Sequence, residues 1–428
     1  MTASPGAPSR VVVRAVPMLL ALVASACIAT PTPAPTVAPS ATAVTGAPIG
    51  LEQHALGELH GDWAFVARRV SAGSTEGLTV QLWAVKLDGT DAKLALSVRS
   101  DYSGPRQQDS AGGLVVRRQL SPDWRRIVLP VAVPDPDPHF GSAAPLSRLA
   151  VFDLFAGTYS VIALPAGPFV DDELRPAWSP DGKWIAYERQ LRGGFQLDGI
   201  WRVHPDGSGP EKICGAYTVA QNNLGSFDGC AGLAGWTPEG RVAFTELHGY
   251  ATFDPNGLYL IRWDQFATSE TAVSWRTDFY PPMVATFTDR TPKAEEQRLV
   301  VSNPQGWDTR VVLRYPAATT ELHEPRWNPI TSDILLRTTR GGADPKLAIT
   351  SLDGRVLVDI GTGRPVRGEW SADGSKVVYL ETALAANGVT GGLRIADAHA
   401  GGDDRLVWSA PADGRAWQAV DLMPVRFR

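Results

Sequence analysis

The chain reads Pro176-Ala177-Trp178-Ser179-Pro180-Asp181-Gly182-Lys183-Trp184-Ile185-Ala186-Tyr187, and this stretch decides the fold. Ser179-Pro180-Asp181-Gly182 is typical of a type I turn, because Ser suits its first position, Pro presets φ at the second and Gly suits the last. The turn joins a strand that ends in Trp178 to a strand of β-branched and aromatic residues. Apolar residues follow one another there without alternation, so both faces of the sheet should be covered.

The same unit recurs along the chain, and each copy carries an apolar residue, mostly Trp, just before the turn. These residues are Leu120, Trp178, Trp236, Trp327, Trp370 and Trp417. The interval from Trp236 to Trp327 is about double the others, which predicts a degenerate copy at Tyr280–Val284 with Arg298–Val301 as its second strand. A further hairpin follows each unit, as at Asp88-Gly89 between two apolar runs. Two of these predicted hairpins are Leu258–Trp263 with Thr271–Trp275 and Thr309–Tyr315 with Thr319–Leu322.

Each unit therefore supplies four strands, and residues 52–428 are predicted to form an all-β β-propeller of seven blades, with six as the alternative. The last copy, at Trp417, has no second strand after it, while the early strand Trp63–Ala67 has no first strand before it. We predict that the C-terminal strand pairs in the first blade and closes the ring, which removes exposed sheet edges. The 42 Gly and 34 Pro among 428 residues also disfavour an α-rich fold.

The Trp-Ser-Pro-Asp-Gly-Lys unit resembles the repeat of the TolB-type β-propellers, also called the WD40-like PD40 repeat. The resemblance covers essentially residues 52–428 and implies a propeller fold. TolB itself has an additional N-terminal α/β domain, whereas this chain has a Pro- and Thr-rich segment there, so the partners of TolB are not carried over. A residue that recurs in every blade is first of all a packing element, and this is the role predicted for Trp178, Trp236, Trp327, Trp370 and Trp417. Ser179, Pro180, Asp181 and Gly182 are predicted to form a structural turn.

The N-terminus carries an export signal. Residues 1–26 contain no acid, and Arg10 and Arg14 precede an apolar run too short to cross a hydrocarbon core of about 30 Å. Val23-Ala24-Ser25-Ala26-Cys27 resembles a bacterial lipobox, which implies that Cys27 is acylated and anchors the protein to the cell membrane. Ala24-Ser25-Ala26 is also compatible with simple signal cleavage. Residues 27–51 form a Pro/Thr/Ala-rich linker, expected to run extended. We predict an extracytoplasmic, lipid-anchored protein.

Two cysteines remain after the signal, Cys214 and Cys230, and an oxidising compartment favours a disulfide between them. Two free buried thiols are the alternative. Asp135, Asp137 and His139, on a Pro-rich insertion, form a weak candidate cation set, since Ca²⁺ prefers oxygen ligands. A solvated acidic loop is the preferred interpretation of these residues. No cofactor is predicted.

The function that these features favour is a non-catalytic, monomeric binding scaffold for an envelope protein, peptide or glycan. Nucleic acid is not an expected partner, because 40 Lys and Arg against 45 Asp and Glu give no basic excess. The sequence has no Gly-x-Ser-x-Gly motif of the α/β-hydrolases, and an enzyme is not predicted. The rival hypothesis is a glycan hydrolase, which needs two carboxylates converging at the central channel. The candidate acids are Glu52, Glu58, Asp62, Asp289 and Glu369.

Overall fold

The structure is a computed structural model. It describes residues 46–71, 78–100, 116–134, 145–164, 171–191, 196–215, 232–236, 240–246, 249–253, 274–276, 283–288, 296–302, 310–316, 320–340, 344–360, 364–385, 388–399, 402–411 and 417–427. Strands dominate these residues, and the helix that they contain has four residues. The predicted fold class, an all-β propeller, is confirmed. Among the described residues, no helix has the length and apolar character needed to cross a membrane.

The strands form seven antiparallel sheets in the described part of the chain, here numbered from the first sheet along the sequence. Sheet one contains β1 (Glu52–Gln53), β2 (Gly61–Ser71), β3 (Leu78–Lys86), β4 (Ala92–Arg99) and the C-terminal β27 (Trp417–Phe427). Sheet two contains β5 (Arg126–Val133), β6 (Leu146–Asp153) and β7 (Thr158–Val161), preceded by the helix α1 (Val116–Gln119). Sheet three contains β8 (Asp171–Trp178), β9 (Ile185–Leu191), β10 (Gln196–Val203) and β11 (Glu211–Gly215).

The remaining sheets continue the same order. Sheet four contains β12 (Gly232–Trp236), β13 (Val242–Glu246) and β14 (Gly249–Phe253). Sheet five contains β15 (Ser274–Arg276), β16 (Met283–Thr288), β17 (Glu296–Ser302) and β18 (Arg310–Pro316). Sheet six contains β19 (Thr320–Trp327), β20 (Ile334–Arg340), β21 (Lys346–Thr350) and β22 (Val356–Ile360). Sheet seven contains β23 (Pro365–Trp370), β24 (Lys376–Ala385), β25 (Gly388–Asp397) and β26 (Arg405–Ser409).

The core lies between sheets, and both faces of a sheet contribute to it. In β2, Trp63 and Phe65 pack in a cluster shared with sheet two, while Ala64 and Val66 pack in a cluster shared with sheet seven. This division follows from the period of two along a strand. Similar clusters join sheets two and three, three and four, five and six, and six and seven. The unalternating apolar runs of the sequence thus correspond to strands covered on both sides.

The C-terminal strand β27 pairs with β2, the second strand in chain order. The pairing runs from Gly61 opposite Phe427 to Val70 opposite Trp417. Leu422 of β27 is completely buried in the cluster between sheets one and seven. The two ends of the folded chain are therefore held together by backbone hydrogen bonds and by a shared apolar layer.

Sheet one has a strand that the sequence did not indicate. β1 pairs antiparallel with the outer edge of β4, through Glu52 opposite Ser97 and Gln53 opposite Leu96. The side-chain amide of Gln53 also donates to the carbonyl oxygens of Asp153 and Thr158 in sheet two, at 3.1 Å each. The segment before the first long strand thus covers a sheet edge and links two sheets.

Several strand assignments were wrong. The first strand predicted at Leu120 is replaced by α1, and Leu120 forms only an isolated bridge to Ile127. Val116-Arg117-Arg118-Gln119 contains good helix formers, and Leu120 alone keeps the apolar position of the repeat.

The sheet-five assignment was displaced by one strand. Trp275, in β15, occupies the first strand, and Val284, predicted to be in that strand, lies in the second, β16. Thr319–Leu322 was predicted to pair with Thr309–Tyr315, but β19 pairs with β20 of the next sheet instead. No Ser-Pro-Asp-Gly turn marks the copy in sheet five, so the sequence did not indicate which strand comes first in this sheet. The predicted strand Leu258–Trp263 lies outside the described residues.

The layer between sheets one and seven should be essential for stability. We expect Leu422→Ala to lower the free energy of unfolding by about 2–5 kcal/mol, because it leaves a cavity where the side chain was completely buried. Arg426→Ala on the same strand removes a half-exposed ion pair with Asp62 and should lower the free energy of unfolding far less than Leu422→Ala. Urea denaturation of the two variants measures the difference. Equal effects would contradict the importance of this layer.

Candidate functional site

Two of the recurrent tryptophans, Trp236 and Trp370, tie their first strand to the sheet before it. Trp178, Trp327 and Trp370 are buried, and Trp236 is half-buried. The indole Nε1 of Trp236 donates to the carbonyl of Ala177 at 2.9 Å, and that of Trp370 donates to Arg326 at 3.0 Å. Each acceptor immediately precedes the equivalent Trp of the previous sheet. The side chain of Trp417 lies outside the described residues.

Trp178 departs from this pattern. Its indole nitrogen is buried and has no acceptor among the described residues. The carbonyl in the equivalent position belongs to Gln119, which lies in α1 instead of a strand. The helix therefore removes the acceptor that Ala177 in sheet three and Arg326 in sheet six provide.

The Ser-Pro-Asp-Gly turn is held by its own side chains. The Ser179 hydroxyl donates to the Asp181 carboxylate at 2.6 Å and accepts the Trp184 N–H at 2.9 Å. Gly182 N–H donates to the Ser179 carbonyl at 2.9 Å, with φ at 70°. Burial raises the pKa of Asp181, but the hydrogen bonds from Ser179 and the Lys183 N–H outweigh it and lower the pKa overall.

The turn geometry recurs at Ser121 and Ser371. Each hydroxyl donates to the Asp two residues later and accepts the N–H five residues later. The last position of the first turn is Trp124, with a φ of 62°. In the second turn Gly374 takes this position, with a φ of 68°. The Ser and Asp side chains form their hydrogen bonds within the turns, so their role is structural.

A network of charges lies on the first strands. Glu369 of β23 accepts from Arg326 of β19 at 2.5 Å, and Arg117 of α1 lies 3.9 Å from its other oxygen. Arg118 donates to the carbonyl of Leu233 in β12 at 2.9 Å. The helix α1 therefore reaches both sheet seven and sheet four.

β-bulges bring several of these residues into place. The pairing register shifts between Leu174 and Ala177 of β8, between Leu233 and Gly235 of β12, and between His323 and Arg326 of β19. A bulge turns side chains away from the regular alternation of a strand. Arg175, inside the first bulge, has a φ of 47° and lies 3.5 Å from Glu188.

Among the acids of this region, Glu173 has the most perturbed pKa. Burial raises its pKa to about 7 and outweighs the attraction of Arg148, the Leu149 N–H and Arg189. Arg148 lies 3.4 Å away, and Glu173 is only 4% exposed. A raised pKa can mark a catalytic acid, but this carboxyl is enclosed by protein and has no open space for a substrate.

The acids proposed for a hydrolase site do not share a cationic partner. Glu52 pairs with His54 at 2.9 Å, Glu58 with His60 at 3.8 Å, and Asp62 with Arg426 at 2.5 Å. Glu369 pairs with Arg326, as described above. Asp289 lies outside the described residues.

Several residues singled out in the sequence also lie outside the described residues: Cys27, Asp135, Asp137, His139 and Cys230. Cys214 is disulfide-bonded, and its pairing with Cys230 stays a prediction. Within the described ranges, no group of three or more His, Cys, Asp or Glu side chains is arranged to hold a metal ion.

An open groove of about 700 Å³ lies between sheets two and three. One side is formed by Asp153 and by Thr158, Tyr159 and Ser160 of β7, and the other by Lys183 and residues 204–206. Sequence reasoning missed this groove, because nothing in the repeat indicates which two sheets leave space between their outer turns. A smaller hollow of about 410 Å³ lies beside Asp403 and Asp404, where Asp404 accepts from Tyr379 and Arg394.

Comparison with solved structures finds similarity to proteins that contain a β-propeller. The chain is similar to TolB from Acinetobacter baumannii, at 15% identity over 83% of this chain and 82% of that one, with a TM-score of 0.39. It is also similar to the β-propeller domain of the Trilobed protease from Pyrococcus furiosus, at 14% identity over 67% and 82% of the two chains, with a TM-score of 0.44.

A prolyl endopeptidase is similar at 13% identity and a TM-score of 0.49, over 85% of this chain but only 50% of that enzyme. This chain thus spans about half the length of the endopeptidase. No family model and no curated protein matches the sequence. These similarities, at 15% identity or less and with TM-scores below 0.5, carry no conclusion about family or function.

The indole hydrogen bonds lead to a prediction on stability. We expect Trp370→Phe to cost about 1 kcal/mol more than Trp178→Phe, because only the former leaves a carbonyl without its donor. The two side chains are similarly buried, at 6% and 5% exposure, so the loss of size is matched. Thermal and urea unfolding measure the difference. A larger loss in Trp178→Phe would show that the indole bond does not matter.

Glu173 should make stability depend on pH. Its folded pKa of about 7 exceeds its ordinary 4.5, so the folded state holds the proton more tightly and unfolding becomes easier as pH rises through this window. The shift corresponds to roughly 3 kcal/mol. We expect Glu173→Gln to remove about this much of the fall in unfolding free energy between pH 4.5 and 8. Glu211→Gln, an exposed carboxyl in β11, should retain the wild-type profile; an unchanged profile in Glu173→Gln would refute the assignment.

Proposed function

We propose that this protein is a non-catalytic binding scaffold of the cell envelope. It is exported by its N-terminal signal and anchored to the membrane through a lipidated Cys27. Its surface recognises an envelope protein, a peptide or a glycan. Anchoring by more than one acyl chain suits such a role, because each buried CH₂ contributes about 0.8 kcal/mol to membrane binding.

The observation that carries the proposal is how three buried acids of the first and second strands are used. Glu173, Glu188 and Glu369 are all buried or nearly so, and each lies beside an Arg. Glu188 additionally accepts the Leu233 N–H at 2.7 Å, which joins sheets three and four. Glycoside hydrolysis needs a pair of carboxyl groups in an open pocket, about 5–10 Å apart. These acids hold strands together, whereas the open groove between sheets two and three contains the mixed apolar and polar side chains that suit binding.

The anchoring part is tested by fractionation of cells that express the full chain. The wild-type protein is expected in the membrane fraction, released by detergent but not by salt. Cys27→Ser is expected in the soluble extracytoplasmic fraction, because it lacks the acylated thiol. Ser40→Ala in the linker is the matched control and should stay in the membrane. A Cys27→Ser protein that remains membrane-bound after export would contradict lipid anchoring.

The same preparations decide between binding and hydrolysis. We expect isolated envelope glycan to remain intact when it is incubated with the wild-type protein. Release of reducing ends that is lost in Glu369→Gln and kept in the exposed control Glu58→Gln would instead support the hydrolase hypothesis.

A further inference from the structure

We propose that the anchored protein turns one end of its sheets, here named the linker end, towards the membrane and holds the opposite end, the turn end, away from it. The linker end is where the second strand of a sheet finishes, as β5 does at Val133. The turn end contains the turn before that strand, such as Ser179-Pro180-Asp181-Gly182 before β9. This inference rests on the proposed lipid anchor and adds the direction in which the anchor holds the sheets.

The turn ends of neighbouring sheets lie side by side. A Cβ added at Gly182, in the turn of sheet three, would lie 3.5 Å from Pro122 Cδ, in the turn of sheet two. In sheet six, the side-chain amide of Asn328 donates to the carbonyl of Gly374, in the turn of sheet seven, at 2.9 Å. Sheets two and three, and sheets six and seven, therefore have their turns on the same side.

Sheet one joins these two groups. Arg426, near the end of β27, lies 3.4 Å from Asp373 in the turn of sheet seven. The next residue, Phe427, packs against Phe155 of sheet two, with ring centroids 5.4 Å apart. Phe155 is at the turn end, because the residue before it donates its N–H to the carbonyl of Arg125, just before β5. The turn ends of sheets six, seven, one, two and three thus lie together.

Residues 46–57, here named the strap, lie along sheets one and two from the linker end to the turn end. Ile49 N–H donates to the carbonyl of Ala132, near the end of β5, at 2.8 Å. Farther along, Leu56 N–H donates to the carbonyl of Leu154, at the turn end, at 2.9 Å. The strap therefore begins at the linker end, and so the linker joins the folded sheets there.

Contacts with both sheets fix the strap in place. Besides the pairing of β1, the Arg99 N–H donates to the Ile49 carbonyl at 3.1 Å, and the His54 N–H donates to the Ala95 carbonyl at 3.0 Å. Leu56 is 4% exposed and belongs to the apolar cluster between sheets one and two. Detachment would lose these hydrogen bonds and this burial together. The strap therefore fixes the point from which the linker leaves.

The linker is short compared with the path that overturning would need. The strap rises about 26 Å between Ile49 and Gly57, at roughly 3.3 Å per residue. A flexible chain with the length of residues 28–45 has a root-mean-square end-to-end distance of about 23 Å. To bring the turn end to the membrane, the linker would have to run back along the whole height of the sheets. This stretches the chain, and its prolines resist the reversal of direction.

The proposed direction also decides which surfaces meet the membrane. Arg126, Lys183 and Asp206, which line the groove between sheets two and three, all belong to the turn end. Lipid headgroups would meet the linker end, and the groove would open towards the aqueous side of the envelope.

The direction is measured on the acylated full-length protein in vesicles of phosphatidylethanolamine and phosphatidylglycerol that carry an acceptor dye on a lipid headgroup. A donor dye is attached from outside to one new cysteine in sheet six, either Asp344→Cys at the linker end or Ile330→Cys at the turn end. Both side chains are exposed, at 57% and 65%. We expect the dye at 330 to lie about 20 Å farther from the membrane, since β20 separates the positions at roughly 3.3 Å per residue. Energy transfer measures both distances, and circular dichroism verifies that both variants are folded.

Two controls accompany this measurement. Insertion of about thirty Gly and Ser residues after Ser40 should shrink the difference, because a longer flexible linker lets the sheets turn over. Cys27→Ser should abolish energy transfer from both positions. Equal distances at the natural linker length, the reverse order, or a difference that the insertion leaves unchanged would overturn the proposed direction and leave the anchored scaffold intact. Absence of transfer in the protein that retains Cys27 would refute the anchor, and the direction with it.

Hydrogen exchange tests the strap itself. The amides of Ile49 and Leu56 should exchange slowly, because both donate to carbonyls of sheet two. Exchange at the rate of an unstructured chain would show that the strap is not seated on the sheets, and this result would also overturn the proposal.

Discussion

Burial of apolar side chains between neighbouring sheets is the constraint on which the described structure depends. A single sheet of this kind would expose an apolar face to water on each side, and burying apolar surface is the main favourable contribution to folding. The alternation in β2, whose odd residues pack towards sheet two and whose even residues pack towards sheet seven, shows how one strand satisfies two interfaces. The indole hydrogen bonds of Trp236 and Trp370 add direction to this packing, because each indole reaches one particular carbonyl of the preceding sheet.

Sheet two shows what happens where the repeat is interrupted. A short helix stands where the other units have a first strand, and two consequences follow from it. Trp178 has no acceptor for its indole nitrogen among the described residues, while Arg117 and Arg118 extend from the helix towards sheets seven and four. The lost strand is thus replaced by polar contacts to more distant sheets. This exchange exemplifies how a repeat fold keeps its packing order while one unit changes its secondary structure.

The buried acids of the first and second strands illustrate why a perturbed pKa is not by itself a sign of catalysis. The pKa of Glu173 is raised because the carboxyl is buried, and its partners are a nearby Arg and a backbone N–H. Glu188 and Glu369, also buried, join neighbouring sheets through a backbone N–H and an Arg side chain. The proposed recognition function is better supported by the open groove between sheets two and three, which polar and apolar side chains of both sheets line.

The sequence by itself determined the strand–turn–strand unit and the packing of both faces, because Ser179-Pro180-Asp181-Gly182 specifies its turn through local bonds and the apolar runs specify burial. It also indicated that the strand at Trp417 pairs with the one at Trp63, because each lacked a neighbour of its own. Only the tertiary structure decided the helix at Arg117, the register of sheet five, the edge strand β1 and the groove beside Tyr159. These features depend on contacts between residues far apart in the chain, such as Arg118 with Leu233 and Gln53 with Thr158. Local propensity cannot encode such contacts, since each arises from the position of another sheet.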